Sequence, residues 1–275
     1  MAACDGFGTG SGWRRAAAVL VLGVGLLAGC ASGDKPRVEE KPVEELYNHA
    51  QDLLDQGSYR EAAKAFEEVE RQHPYSQWAT KGQLMAAYAF YQGDAYYEAV
   101  AAAEQFIRLH PGHEDTPYAY YLIGISYYEQ ISDVGRDQEM TQKALEAFAE
   151  LTKRYPESDY ARDAKLKMNL ARDHLAGKQM EIGRYYQKRQ QYVAAINRFR
   201  SVVEQYQTTT HTPEALMRLT ECYLAIGVRE EAQNAAAVLG YNFPGSHWYE
   251  RAYALLEGQQ LAPKKSSGSW LSSLF

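Results

Sequence analysis

The chain has 275 residues, 46% of them hydrophobic, with 29 Lys and Arg against 35 Asp and Glu for a formal net charge of −6. That share of apolar residues supports a packed core, and the modestly acidic balance lacks the basic footprint of a nucleic-acid-binding protein, so no nucleic acid partner is expected. Three cysteines exclude a disulfide-rich scaffold.

The first thirty residues read as an address. Arg14 and Arg15 precede a twelve-residue apolar run, Ala16 to Leu27, which is too short and too poorly flanked to span a membrane. The run ends in Leu27-Ala28-Gly29-Cys30, which resembles the lipobox of bacterial lipoproteins, so 1–29 is read as a signal peptide and Cys30 as the lipidation site. Ala31, where an aspartate would resemble an inner-membrane retention signal, favours the periplasmic face of the outer membrane. Acyl chains on Cys30 contribute about 0.8 kcal/mol per buried methylene, enough together for a stable anchor. The mature chain then loses Arg14, Arg15 and Asp5 and carries −7. Cys222 is its one remaining thiol, beside Tyr223 and Leu224 in an apolar stretch where packing rather than reactivity is expected. Residues 30–42, with Pro36 and Pro42, read as a lipidated tether.

From 43 to 258 every segment reads as helix. Ala62, Ala99, Ala144, Ala195 and Ala232 each lie seven residues before a large apolar side chain (Val69, Phe106, Leu151, Val202, Leu239) and eleven before a ring (His73, His110, Tyr155, Tyr206, Phe243). The twelfth position is Pro74, Pro111, Pro156 and Pro244 in four copies and Gln207 in the fifth. Five copies of one pattern mean one helix-turn-helix unit used five times, with the small residue where two helices approach closely. Pro-x-Ser-x-aromatic recurs at Pro74–Trp78, Pro156–Tyr160 and Pro244–Trp248, where the proline stops one helix and the serine caps the next. The spacing between alanines is 37, 45, 51 and 37. The excess of eight falls in a polar loop around Ser132–Asp137, and the excess of fourteen falls within 159–189, a stretch without proline. Fourteen residues make almost four helical turns, so they lengthen a helix while nearly keeping its apolar face. The expected architecture is an all-α solenoid, with three repeats over 43–156, a bridging helix over 157–177, two repeats and a terminal cap over 178–258, and a disordered tail over 259–275.

Tyrosine is in excess, 22 of 275. The repeat register turns Tyr118, Tyr121, Ile125 and Tyr128 toward a concave surface, with Tyr47, Phe90 and Tyr91 at comparable positions on the earlier repeats. As a set they predict an apolar, hydroxyl-rimmed groove for an extended peptide. Basic residues gather later, at Lys178, Arg184, Lys188, Arg189, Arg198 and Arg200. His110, His113, Glu114 and Asp115 lie in an inter-repeat turn without an organised fourth ligand, so no metal site is assigned. No nucleophile elbow, zinc-protease motif or acid/base carboxylate pair is visible. No cofactor and no enzymatic activity are expected.

These residues reach a family. Ile123-Gly124-x-x-Tyr127 and Ile182-Gly183-x-x-Tyr186, followed by the Gly57, Tyr59, Ala62, Phe66, Pro74 spacing, resemble the tetratricopeptide repeat. Five such repeats behind a lipobox, together with Phe106-Ile-Arg-Leu-His-Pro111, Arg136-Asp137 and Asn197-Arg198, resemble the BamD (ComL) lipoproteins of the outer-membrane β-barrel assembly machinery. The resemblance implies a non-enzymatic, lipid-anchored scaffold that recognises unfolded outer-membrane proteins and works with a barrel-forming subunit and accessory lipoproteins. It also implies that Arg198, with Asn197, Arg184 and Lys188 nearby, docks that subunit, an arginine fork being suited to a partner carboxylate. Two alternatives stand beside it, a pilotin-like repeat lipoprotein for secretin assembly and a peptidoglycan-active enzyme carrying helical repeats.

Overall fold

The computed structural model describes residues 41–258. Cys30, the signal segment, most of the tether and the tail 259–275 lie outside these residues. Within them the chain forms α1 (Val43–Asp55), α2 (Tyr59–Gln72), α3 (Gln77–Gln92), α4 (Tyr96–Leu109), α5 (Thr116–Tyr128), α6 (Glu139–Arg154), α7 (Asp159–Lys188), α8 (Tyr192–Gln205), α9 (Thr212–Ala225), α10 (Arg229–Asn242) and α11 (His247–Leu256), with no strand among the described residues. Each helix packs on its neighbours in sequence, and first helices of successive repeats also touch, α1 on α3, α3 on α5 and α5 on α7. This is the tetratricopeptide solenoid that the alanine register predicts.

The register has a steric cause. Ala62, Ala99, Ala144, Ala195 and Ala232 are all 0% exposed, as are the five large residues seven positions later. In repeats three and four, where the second helix carries phenylalanine four residues after the alanine, the first helix yields still more room. A Cβ built on Gly124 would lie 2.4 Å from the Phe148 ring, and one on Gly183 would lie 2.5 Å from Phe199. Only glycine admits those rings.

Helix ends repeat as closely. The C-caps His73, His110, Tyr155 and Phe243 share φ near −130° and ψ near 55–59°, and Tyr206 follows at −128° and 40°. Ser76, Ser158 and Ser246 each accept a hydrogen bond from the backbone N–H three residues on, at Ala79, Ala161 and Tyr249, which satisfies an otherwise orphaned donor. The two remaining inter-repeat turns use another device. Thr116 and Thr212 donate their hydroxyls back to the carbonyls of His110 and Tyr206, at 2.9 and 3.0 Å, and each is followed by proline in the first turn of its helix. Gln207 therefore replaces a proline at a turn that Thr212-Pro213 closes.

α7 does not stop at 177. It runs 30 residues, and its two halves serve different cores. Ala164 and Met168 join the cluster of repeats two and three, whereas Ala176 and Met180 join that of repeats four and five. Its middle is held from two sides. Lys178 Nζ donates to the Gly135 carbonyl at 2.8 Å, from the long loop of repeat three. Asp173 Oδ1 accepts from the Thr210 N–H and hydroxyl at 2.9 and 2.8 Å, from the turn before α9.

Candidate functional site

The tyrosines of α5 divide as helical spacing dictates. Tyr120 and Tyr127 turn toward α6, where Tyr120 meets Tyr155 at 5.8 Å and Tyr127 lies under Lys143 Nζ at 5.7 Å. Tyr118, Tyr121 and Tyr128 face α7 instead. Tyr160, from the first turn of α7, stacks on Tyr118 at 5.1 Å and on Tyr121 at 5.5 Å. The Tyr121 hydroxyl donates to Asp163 Oδ2 at 2.6 Å, and Lys167 Nζ sits 5.2 Å over the Tyr128 ring. Desolvation is the first cause that pushes the Tyr118 and Tyr121 hydroxyls above their ordinary range; neighbouring tyrosines add to it at Tyr118, and the Asp163 bond adds to it at Tyr121. Both phenols stay protonated and serve as hydrogen-bonding, half-buried apolar surface. Beside them Tyr128, Glu129, Ile131, Leu170, Ala171 and His174 line an open cavity of about 280 Å³. His174 Nε2 is buried there without a hydrogen-bond partner.

Three expected rings and Ile125 sort differently. Tyr91 is half-buried, 6.1 Å from Tyr96, and belongs with the Tyr118 group through the core it shares. Phe90 packs instead on the core of repeat one. Tyr47, expected on the concave surface, is only 6% exposed, closed in by Phe66 at 5.3 Å and Trp78 at 4.8 Å. Ile125 is also core, at 4%. The reason in both cases is the next repeat, which lays an aromatic or helix across a position that a lone repeat would leave open.

The basic residues likewise divide. Arg184 is not free, because its Nη1 pairs with Glu214 at 3.1 Å. Glu214 also pairs with Arg218 at 3.3 Å, and Glu221 takes Arg218 at 2.8 Å and Arg251 at 3.0 Å, while Gln187 donates to Glu221 at 2.8 Å. This chain of charges ties α7, α9 and α11 together. Arg200 is spent similarly on the Tyr223 hydroxyl at 2.6 Å. Arg198, Asn197 and Lys188 are exposed, and Arg198 donates from Nη1 to Gln179 Oε1 at 3.2 Å. Asn197 borders a shallow apolar groove of about 530 Å³ with Tyr192, Val193 and Ile226. In the N-terminal half His110 Nε2 lies 2.8 Å from Gln83 Oε1, so this ring is engaged with a buried amide.

Comparison with known proteins places the chain in one group. A family described as outer-membrane lipoprotein, YfiO, matches residues 39–239. Relatives from several bacteria carry the name outer membrane protein assembly factor BamD. The chain is 53% identical to that of Caulobacter vibrioides over 90% of this chain and 81% of the relative, and 44% identical to that of Rickettsia prowazekii over 88% and 96%. It is 36% identical to that of Neisseria meningitidis over 86% and 94%. The chain belongs to the BamD family. Sequence reasoning missed Tyr160 as a member of the tyrosine group. Tyr160 carried a signal, the aromatic of Pro-x-Ser-x-aromatic, but that position reads as local packing until α5 and α7 are placed side by side.

Proposed function

We propose that this chain is a non-enzymatic, lipid-anchored scaffold of outer-membrane β-barrel assembly, held at the periplasmic face by Cys30. Its tyrosine face captures unfolded outer-membrane polypeptides, and its Arg198 edge docks the barrel-forming subunit. The observation that carries the reading is the Tyr118, Tyr121, Tyr128 and Tyr160 group, which offers half-buried aromatic surface with hydroxyls and one carboxylate at its rim. Such a surface fits an extended chain of alternating apolar and polar side chains, whose backbone groups need hydrogen bonds as its rings are buried. Membership of the BamD family supports it. Rigid α7 lets both surfaces act in one fixed relation.

Arg198 remains the residue assigned to docking, with Asn197 and Lys188 beside it. Arg184 is assigned to holding α9 against α7 rather than to the partner. Affinity isolation through a C-terminal tag from detergent-solubilised outer membranes tests the reading. Recovery of the barrel-forming assembly subunit, lost in Arg198→Glu and kept in Arg60→Glu on α2, is the expected result. Recovery of a secretin instead, or equal recovery with both variants, contradicts it.

A further inference from the structure

α7 carries an uncovered apolar face. In repeat two, Leu84 stands eight residues after the capping Ser76, is 7% exposed, and packs with Val100 and Ala103 of the following helix α4. Leu166 stands eight residues after the capping Ser158, at the same register position of α7, yet it is 65% exposed, and Leu170 one turn on is 60% exposed. The cause is the lengthening of α7. Its own second helix, α8, packs on the far half at Met180 and Gly183. The near half of α7 thus keeps a first-helix face with no second helix on it. Second helices α2, α4, α8 and α10 are 14 residues each, which sets the size of the missing element.

Charge selects what covers it. Of the acids along this part of α7, Asp159 pairs with Arg162 and Asp163 with Lys167, while Asp173 accepts from Thr210 and lies 3.6 Å from His211. Lys165 is exposed with no ion pair among the described residues, and Arg172 has only a 3.5 Å contact to Asn169. We propose that Leu166 and Leu170 form a docking surface for an acidic amphipathic helix of a partner protein, about four turns long, lying where a repeat's second helix would lie. The chain's own tail is a poorer occupant, since it brings Lys264 and Lys265 toward the unpaired Lys165. This surface goes beyond the tyrosine reading and does not depend on it.

The test is fluorescence anisotropy on the mature chain with a synthetic 14-residue helix bearing leucines on one face and flanking glutamates. The same peptide with lysines for glutamates, and a labelled peptide of residues 264–275, serve as comparisons. The proposal expects the acidic peptide to bind at least tenfold more tightly than the lysine form, and at least tenfold more weakly to Leu166→Glu/Leu170→Glu. Because both leucines are exposed, that variant should keep its circular dichroism spectrum. Tyr118→Ser/Tyr121→Ser, which leaves Tyr128 and the cavity it shares with Leu170 intact, should bind the acidic peptide as wild type does, which separates this surface from the peptide groove. No binding, binding indifferent to the leucine substitutions, or preference for the 264–275 peptide overturns the proposal. So does self-association of the chain, by analytical ultracentrifugation, that the leucine substitutions abolish.

Discussion

Gly124→Ala measures how tightly the repeat is built. In an open helix, alanine is favoured over glycine by about 0.8–1 kcal/mol. Here the added methyl would stand 2.4 Å from two carbons of Phe148, a ring that is 0% exposed, so either the ring or the helix axis must shift by more than an ångström. Carbon pairs prefer about 3.5–4.0 Å, and overpacking of this kind costs about 1–3 kcal/mol. Two contacts at 2.4 Å put the clash at the upper end of that range, about 2–3 kcal/mol, so after the propensity gain a net loss of about 1–2 kcal/mol is expected, or about 2–8 °C in the thermal midpoint for a domain of this size. Thermal unfolding followed by circular dichroism provides the assay, with Gly112→Ala as the comparison because a Cβ there meets nothing within 4 Å. Combining Gly124→Ala with Phe148→Leu removes the clashing ring, so the double variant should be more stable than the sum of the single effects by at least 0.5 kcal/mol, roughly the smallest coupling seen between touching residues. An unchanged or raised midpoint for Gly124→Ala, or strict additivity in the double variant, refutes the packing argument.

Two other outcomes follow from the chemistry of single residues. Cys30→Ser is expected to leave helicity intact and abolish detergent-phase partitioning, because no described helix is long and apolar enough to cross a membrane; partitioning that persists in the variant contradicts the anchor. Cys222 is fully buried, and desolvation first, then Glu221, pushes its thiol up to about 12. Below that pH it stays protonated, so in the Cys30→Ser chain it should resist iodoacetamide at pH 8 and react only on unfolding, as mass spectrometry can check; stoichiometric labelling of the native chain contradicts the burial.

What the sequence made legible is what repeats. Ala62 through Ala232 could be read without a structure because the distance between two packed helices fixes a small residue at one position, whatever lies elsewhere. The capping serines could be read for the same reason, since their bond spans three residues. What the sequence hid is set between repeats. Tyr47 is buried by Trp78, Arg184 is consumed by Glu214 thirty residues away, and Tyr160 joins the α5 tyrosines only once α7 lies beside α5. The Thr116 and Thr212 turns were missed because each bond spans six residues and leaves no periodic trace. Bridging helix and fourth repeat also merge in α7, since a helix that keeps its apolar face through fourteen added residues has no sequence boundary at 177.

We propose that half-buried tyrosines carry the binding work of this chain. That claim is tested most directly by the affinity of the mature chain for a labelled C-terminal peptide of an outer-membrane β-barrel protein ending in an aromatic residue, with far-UV circular dichroism of each variant alongside. Tyr121→Ser/Tyr128→Ser should weaken capture at least tenfold, about 1.4 kcal/mol, with helicity near that of wild type, and Arg198→Glu should leave capture unchanged. Loss of helicity in parallel with loss of binding would assign the tyrosines to packing alone, and undiminished capture would place the polypeptide site elsewhere.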